Sequence, residues 1–73
     1  MIERLEKILE HYTGKKQTLN RDADLMKDLG LNSLELIELV VEIEEEFGIS
    51  IEDREIQSLS SVDDVIRLIE RKS

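Results

Sequence analysis

NSLELIELVVEIEEEFG, residues 32–48, carries the clearest structural signal in the chain. Asn32 can accept a hydrogen bond at a helix N-terminus, and Glu35 three residues later completes a capping-box pattern. Gly48 suits the other end, because glycine readily takes the left-handed conformation that follows the last helical turn. The segment therefore predicts a helix that begins after Asn32, runs to Phe47 and stops at Gly48.

Apolar and acidic residues of this helix fall on different faces when each residue advances the helix by about 100°. The core-facing stripe consists of Leu36, Leu39, Val40, Ile43 and Phe47. The acidic stripe consists of Glu35, Glu38, Glu42 and Glu45. Leu34 and Val41 lie between the two stripes, outside the core-facing arc. Acids bordered by exposed aliphatic side chains are typical of a docking surface; the alternative is a solvated face on which Leu34 and Val41 cover loops.

Apolar periodicity predicts two further main helices and one short one. The first helix carries Ile2, Leu5, Ile8, Leu9 and Tyr12 on one face and ends near Gly14. The last helix carries Val62, Val65, Ile66 and Ile69, and is capped by Ser60 with Asp63 or by Ser61 with Asp64. Residues 52–57 read as a brief helical turn with Ile56 facing inward. Between the first two helices, residues 14–32 form a long loop that Leu19, Leu25, Leu29 and Leu31 pin onto the core.

The chain has 73 residues, no proline and no cysteine, which favours one all-helical domain, residues 1–73, held together by packing alone. Its net charge of −8 lies entirely in residues 34–57, which hold nine acids and one base. This acidity argues against nucleic acid or an anionic membrane surface as a partner. We expect no membrane insertion and no signal peptide, since no long apolar run is present. The absence of cysteine makes a reducing compartment, the cytoplasm, the default.

Few residues suggest catalysis or metal binding. Asp22, Asp24 and Asp28 invite a calcium-loop interpretation, but Lys27 occupies the position where that loop requires glycine. His11 is the only histidine, and we interpret it as a helix-end residue. Ser33 is the single suggestive nucleophile, although its position alone is equally that of an ordinary first-turn residue. The sequence thus predicts neither an enzyme nor a metal site.

Residues 28–34 (DLGLNSL), followed by 35–40 (ELIELV) and 44–49 (EEEFGI), closely resemble the acyl carrier proteins. Their signature is Asp-Leu-Gly-x-Asp-Ser-Leu, then an aliphatic and acidic helix that ends in Glu-Glu-Glu-Phe. The likeness covers essentially the whole chain. It implies a small four-helix bundle of three main helices, one short helix and a long first loop. It also implies a carrier without enzymatic activity, in which a phosphopantetheinyl transferase moves 4′-phosphopantetheine from coenzyme A onto the hydroxyl of Ser33. Acyl groups would ride on this arm as thioesters in fatty-acid or polyketide biosynthesis.

The resemblance also implies partner contacts and an acyl cleft. The transferase and the acyl-handling enzymes would bind a monomer through basic patches on their own surfaces. The matching partner-facing residues are Asn32, Leu34, Glu35, Glu38, Val41, Glu45 and Asp53. Ile51 and Ile56 match the residues that line the acyl-chain cleft.

Three residues depart from the family pattern, and two other functions stay open. Asn32 replaces the usual Asp, Glu52 replaces a common Pro, and Arg54 stands where acids are usual. These departures suit a specialised carrier as readily as a housekeeping one. An aminoacyl or peptidyl carrier would share the fold and the serine, but such carriers are usually less acidic along this helix. An acidic helical interaction module without a prosthetic group would use Ser33 only as a cap.

Overall fold

The computed structural model describes residues 2–14 and 20–72, which form four helices. These are α1 (Ile2–Thr13), α2 (Ser33–Phe47), α3 (Asp53–Gln57) and α4 (Val62–Lys72). The predicted all-α class, with three main helices and one short helix, is confirmed. Of the helices in these two ranges, none combines the length and the apolar character that crossing a membrane requires.

Both ends of α2 form as the local sequence predicts. The Asn32 side chain accepts a hydrogen bond from the backbone N–H of Glu35 at 2.8 Å, and the Glu35 carboxylate accepts one from the Asn32 N–H at 3.1 Å. At the other end Gly48 has a φ of 64° and donates its N–H to the carbonyl of Glu44. Few side chains tolerate this backbone conformation, so Gly48 stops the helix after Phe47.

The core is aliphatic, and most of its predicted members are confirmed. One face of each main helix is buried, as are two of the loop residues that were predicted to pack onto the core: Leu5, Ile8, Leu9, Leu25, Leu31, Leu36, Leu39, Val40, Ile43, Val62, Val65, Ile66 and Ile69. Ile2 departs from the prediction, since 37% of it remains exposed. Phe47 is half-buried, with the Arg4 guanidinium 4.7 Å from its ring centroid. Leu68 is also buried, although it was not among the apolar residues that predicted this helix. The buried face of α4 is therefore wider than the predicted one.

The long loop is fastened to the link between α3 and α4. Leu25 donates its backbone N–H to the carbonyl of Ser60, and Val62 donates its own to the carbonyl of Ala23, each at 2.9 Å. Leu25 and Leu31 are buried and Leu29 is partly buried, as predicted. Leu19, which we expected to pin the same loop, lies outside the described residues.

Of the two caps predicted for the N-terminus of α4, the structure contains the one formed by Ser61 and Asp64. Asp64 donates its backbone N–H to the Ser61 hydroxyl at 3.2 Å, and its carboxylate accepts the N–H of Ser61 at 3.0 Å. The Ser60 N–H and hydroxyl also donate to this carboxylate, and these hydrogen bonds keep the pKa of Asp64 below its ordinary value, those from the backbone of Ser61 and Ser60 most of all. Asp63, the alternative partner, instead pairs with Arg21 and Arg67.

Candidate functional site

Ser33 is the first residue of α2 and is exposed to solvent. The capping box occupies the N–H groups of Asn32 and Glu35, and Leu36 donates its N–H to the Asn32 carbonyl. Within the described part of the chain, the N–H groups of Ser33 and Leu34 have no hydrogen-bond acceptor. The Ser33 hydroxyl therefore stands beside two available backbone donors at the positive end of a helix dipole, an arrangement that suits a phosphate group.

The segment leading to Ser33 is shaped by Asp24. The Asp24 carboxylate accepts the backbone N–H groups of Lys27, at 2.8 Å, and of Met26, at 2.9 Å. These hydrogen bonds, that from Lys27 first, lower the pKa of Asp24. The Asp28 carboxylate in turn accepts the N–H of Asp24 at 2.7 Å. The three aspartates that invited a calcium interpretation therefore include two that fold this turn, and the turn places Met26 near Ser33.

Ser33 lies at the edge of a pocket of about 260 Å³ between α2, α3 and the long loop. Apolar side chains dominate its walls, which consist of Met26, Ser33, Leu36, Ile37, Ile56, Gln57 and Leu59. Ile56 was predicted to line such a cleft and is among them. Ile51 is not: it is half-buried against the core, and its backbone N–H donates to the Glu44 carboxylate at 2.7 Å. The pocket offers an apolar space that an alkyl chain attached near Ser33 can enter.

Five of the lining residues were not predicted to line the pocket: Leu36, which was predicted only as a core residue, and Met26, Ile37, Gln57 and Leu59. Ile37 had a local signal, because it lies at about 200° on the α2 wheel, outside the core-facing arc. Met26, Gln57 and Leu59 had none, since only the folded chain brings the loop and the α3 region to the start of α2. Pockets assembled from distant segments escape periodicity arguments for this reason.

An exposed apolar strip runs along α2 beside this pocket. Leu34 is 65% exposed, Ile37 50% and Val41 47%, and Met26 of the loop is 45% exposed. Among the described residues, Leu34 and Val41 are therefore not covered by a loop, which was the alternative to a docking surface. Adjoining exposed aliphatic side chains are typical of surfaces that bind another molecule.

Most acids of residues 34–57 are already engaged within the protein. Their partners are backbone N–H groups or basic side chains: Glu35 in the α2 cap, Glu44 with Ile51, Glu46 with Arg4, Glu52 with Arg54, and Glu55 with Arg71 and Lys72. Glu42 accepts the Tyr12 hydroxyl at 3.3 Å and lies 3.6 Å from His11, near the end of α1. Burial, followed by the charge of Glu42, raises the pKa of Tyr12.

The side chains of three of these acids make no hydrogen bond or ion pair with any residue that the structure describes: Glu38, Glu45 and Asp53. All three are exposed. Glu38 and Glu45 are two turns apart on α2, and Glu38 follows directly after Ile37 of the apolar strip. Unpaired carboxylates bordering exposed aliphatic residues are available to steer and bind a basic partner.

Comparison with known proteins identifies the family of the chain. Residues 3–69 match the family model described as a phosphopantetheine attachment site. The chain is 32% identical over 73 residues to an acyl carrier protein of Thermotoga maritima, an alignment that covers 99% of this chain and 90% of the relative. It is 46% identical over 54 residues to an acyl carrier protein of Solidesulfovibrio magneticus, covering 74% of this chain and 69% of the relative.

Solved structures have the same architecture. A candidate acyl carrier protein from Mycobacterium tuberculosis superimposes with a TM-score of 0.90 at 28% identity, over 96% of this chain and 95% of that one. The acyl carrier protein of Thermotoga maritima superimposes with a TM-score of 0.84 at 33% identity, over 97% and 84% of the two chains. A member of this family is a carrier, not an enzyme, bears a covalently attached 4′-phosphopantetheine group, and works with the transferase and with acyl-handling enzymes. The resemblance found in the sequence is thereby confirmed: the chain belongs to the acyl carrier protein family.

Proposed function

We propose that this protein carries acyl groups as thioesters on a 4′-phosphopantetheine arm attached to the Ser33 hydroxyl. The observation that carries the proposal is the placement of Ser33. It is exposed at the first turn of α2, at the edge of an apolar pocket, inside the span that matches the phosphopantetheine attachment family. When bound, the group supplies a flexible arm that ends in a thiol.

The residues around Ser33 fit a phosphodiester. The N–H groups of Ser33 and Leu34 have no acceptor among the described residues and point along the dipole of a fifteen-residue helix. Asn32 caps this helix without adding negative charge beside the attachment point. In the transfer, the Ser33 oxygen would form a new bond to the β-phosphorus of coenzyme A, and the bond from that phosphorus to the bridging oxygen would break. The nucleotide would leave as adenosine 3′,5′-bisphosphate, and the hydroxyl proton would pass to a base of the transferase.

The pocket supports an acyl cargo in preference to an aminoacyl one. Met26, Leu36, Ile37, Ile56 and Leu59 offer aliphatic contacts, and burying each methylene of an alkyl chain against them contributes about 0.8 kcal/mol. An α-ammonium group in the same space would lose its hydration, and none of the described residues that line the pocket has an acidic side chain to compensate. Fatty-acid or polyketide biosynthesis is the corresponding pathway class.

Partner binding is proposed to use the exposed face of α2. Glu38, Glu45 and Asp53 supply charge for a basic patch on the enzyme, while Leu34 and Val41 supply apolar contact. Asn32 and Glu35 lie beside Ser33 at the same end of the helix, where a transferase must approach. We further propose that residues 1–73 act as one monomeric carrier domain. The proposed compartment is the cytoplasm, since the chain has no cysteine that an oxidising compartment would pair.

The attachment point is tested by loading the protein with coenzyme A and a promiscuous phosphopantetheinyl transferase. We expect wild-type protein to gain the mass of one phosphopantetheinyl group and one titratable thiol, which is easily scored because the chain has no cysteine. Ser33→Ala should gain neither. Ser50→Ala, which removes another exposed serine, is the matched control and should load like wild type. No gain by wild type, or an undiminished gain by Ser33→Ala, would refute the assignment.

A further inference from the structure

Helix α3 forms a wall of the pocket although it has little intrinsic stability. It is five residues long, and none of its residues is fully buried. A helix of this length does not persist in water without outside contacts, because its nucleation is costly. It nevertheless supplies Ile56 and Gln57 to the pocket beside Ser33. Contacts beyond the helix must therefore hold it in place.

Two kinds of contact are available: Ile56 packs against the core, and Glu55 makes ion pairs with α4. One carboxylate oxygen of Glu55 lies 2.9 Å from the Lys72 ammonium, and the other lies 2.8 Å from the Arg71 guanidinium. The same carboxylate accepts the backbone N–H of Glu52 at 2.9 Å, which closes the α3 capping box. Only 16% of the Glu55 side chain and 25% of the Lys72 side chain are exposed, so solvent screens this ion pair less than one at an open surface, whereas the Arg71 side chain is 67% exposed. We call Glu55, Arg71 and Lys72 the α3 clamp.

The two cations of the α3 clamp lie on a helix that is packed into the core. Arg71 and Lys72 form the last turn of α4, whose Val65, Ile66, Leu68 and Ile69 are buried in the core. The negative charge of Glu55 offsets the positive charges of Arg71 and Lys72 at this end of α4. These contacts hold the pKa of Glu55 down at about 2, the backbone N–H of Glu52 contributing most and Lys72 next. The carboxylate is therefore ionised at neutral pH, when the carrier works.

We propose that Glu55 is a positioning residue that, through Arg71 and Lys72, holds α3 as a wall of the pocket and so sets how well the pocket shelters an acyl chain. Glu55 itself does not line the pocket; it acts through its neighbours Ile56 and Gln57. The part of this proposal that concerns acyl chains rests on the proposed function, whereas the holding of α3 does not.

The holding of α3 is tested on unmodified protein by amide hydrogen exchange. The backbone N–H groups of Glu55, Ile56, Ser58 and Leu59 report on α3 and its end. Glu55→Gln keeps an oxygen for the capping box but removes the charge that attracts Arg71 and Lys72. We expect these four amides to exchange at least about threefold faster, with α2 amides unaffected. Glu70→Gln, an exposed residue of α4, is the charge-matched control and should leave all amides unchanged.

The cations provide the reciprocal test. Arg71→Ala with Lys72→Ala should also speed exchange in α3, and adding Glu55→Gln to this pair should change α3 less than Glu55→Gln does in the wild-type background. Arg67→Ala, which removes a cation paired with Asp63, should leave α3 alone. Exchange in α3 that is unchanged by Glu55→Gln, or accelerated equally in α2, overturns the proposal. If Glu55→Gln does not fold, Lys72→Met, which removes one cation and keeps an apolar chain, gives the same comparison.

The sheltering of the acyl chain is tested with octanoyl and acetyl groups loaded onto Ser33, by cleaving each thioester with hydroxylamine. In wild type the octanoyl thioester should react more slowly than the acetyl one, and Glu55→Gln should bring the two rates closer. A loss of overall stability alone would change both rates together. An unchanged ratio overturns the pocket part of the proposal. Failure to load any group would count against Ser33 as the attachment point, while the exchange experiment would still decide whether Glu55 holds α3.

Discussion

Asn32 occupies a position where the family usually has aspartate, and its geometry explains why the helix tolerates the change. Its side-chain oxygen accepts the N–H of Glu35 at 2.8 Å, a role that an aspartate oxygen performs equally well. The replacement therefore retains the cap and removes one negative charge next to Ser33. Its effect is expected in recognition by other proteins rather than in the fold.

Asn32→Ala should destabilise the protein by about 1 kcal/mol, because the Glu35 N–H loses its acceptor at the start of α2. Asn32→Asp should be at least as stable as wild type, since it keeps the acceptor and places a negative charge at the positive end of the helix dipole. Urea unfolding of the unmodified protein, followed by circular dichroism, measures both changes. Equal unfolding midpoints for Asn32→Ala and wild type would show that the cap contributes nothing.

At the scale of the helix, α2 was predictable because its information is local. Asn32 and Glu35 define its start, Gly48 its end, and the spacing of Leu36, Leu39 and Ile43 its buried face. The same segment also revealed the exposed Leu34 and Val41. The family signature, read around Ser33, then supplied a function that residue chemistry alone left open.

The pocket was only partly predictable because its walls come from segments that are distant in sequence. Ile56 was identified through the resemblance, but Met26 and Gln57 meet Ser33 only after the loop and α3 have packed. The α3 clamp was missed for the same reason, since Glu55 and Lys72 are separated by a linker and most of α4. Long-range ion pairs leave no periodic trace in a sequence.

The acids of α2 are expected to act through their charge. Reversing Glu38 or Glu45 to Lys should weaken binding of the phosphopantetheinyl transferase at low salt by about threefold or more, because each removes an unpaired carboxylate from the docking face. The difference from wild type should shrink as sodium chloride is added, since ions screen exposed charges. Titration of the transferase at low and high salt measures both effects.

Glu70→Lys is the control for this experiment. It changes the net charge by the same two units at an exposed position of α4 instead of α2. If Glu70→Lys weakens binding as much as Glu45→Lys, total charge governs the encounter and the α2 face has no special part. Unchanged affinity for Glu38→Lys and Glu45→Lys at low salt would mean that these acids only solvate the helix.

At the scale of the whole molecule, whose net charge is −8, the carboxylates fall into two groups according to their contacts. One group folds the chain: Asp24 shapes the loop, Asp64 caps α4, and Glu55 joins α3 to α4. The other, with Glu38, Glu45 and Asp53, makes no ion pair within the described ranges and faces solvent. Some carboxylates therefore hold the fold together, while others make no ion pair with the described residues and belong to the face proposed for partner binding, a division that composition alone does not reveal.

The carboxylates that hold the fold together, those of Asp24, Glu55 and Asp64, are expected to make the protein less stable at acid pH. Hydrogen bonds from backbone N–H groups lower the pKa values of Asp24 and Asp64, and the contacts of Glu55 lower its pKa to about 2 from the ordinary 4.5. A folded-state pKa below the unfolded one means that the unfolded chain binds more protons. For Glu55 this stabilisation is thus complete at neutral pH and is lost as the pH falls through the window from about 4.5 to about 2, while that of Asp24 and Asp64 is lost as the pH falls below their ordinary value of 3.8.

The variant Asp64→Asn tests how much one of these carboxylates contributes to the pH dependence of stability. An asparagine oxygen can still accept an N–H from Ser61, but it does not titrate and forms weaker hydrogen bonds than a carboxylate. The variant should therefore be less stable than wild type at neutral pH, and the difference should shrink as the pH falls below 3.8, the ordinary pKa of an aspartate. Urea unfolding midpoints across this range measure it. Relief of repulsion within residues 34–57 affects both proteins alike, so a difference that stays constant with pH would show that the Asp64 charge does not stabilise the fold.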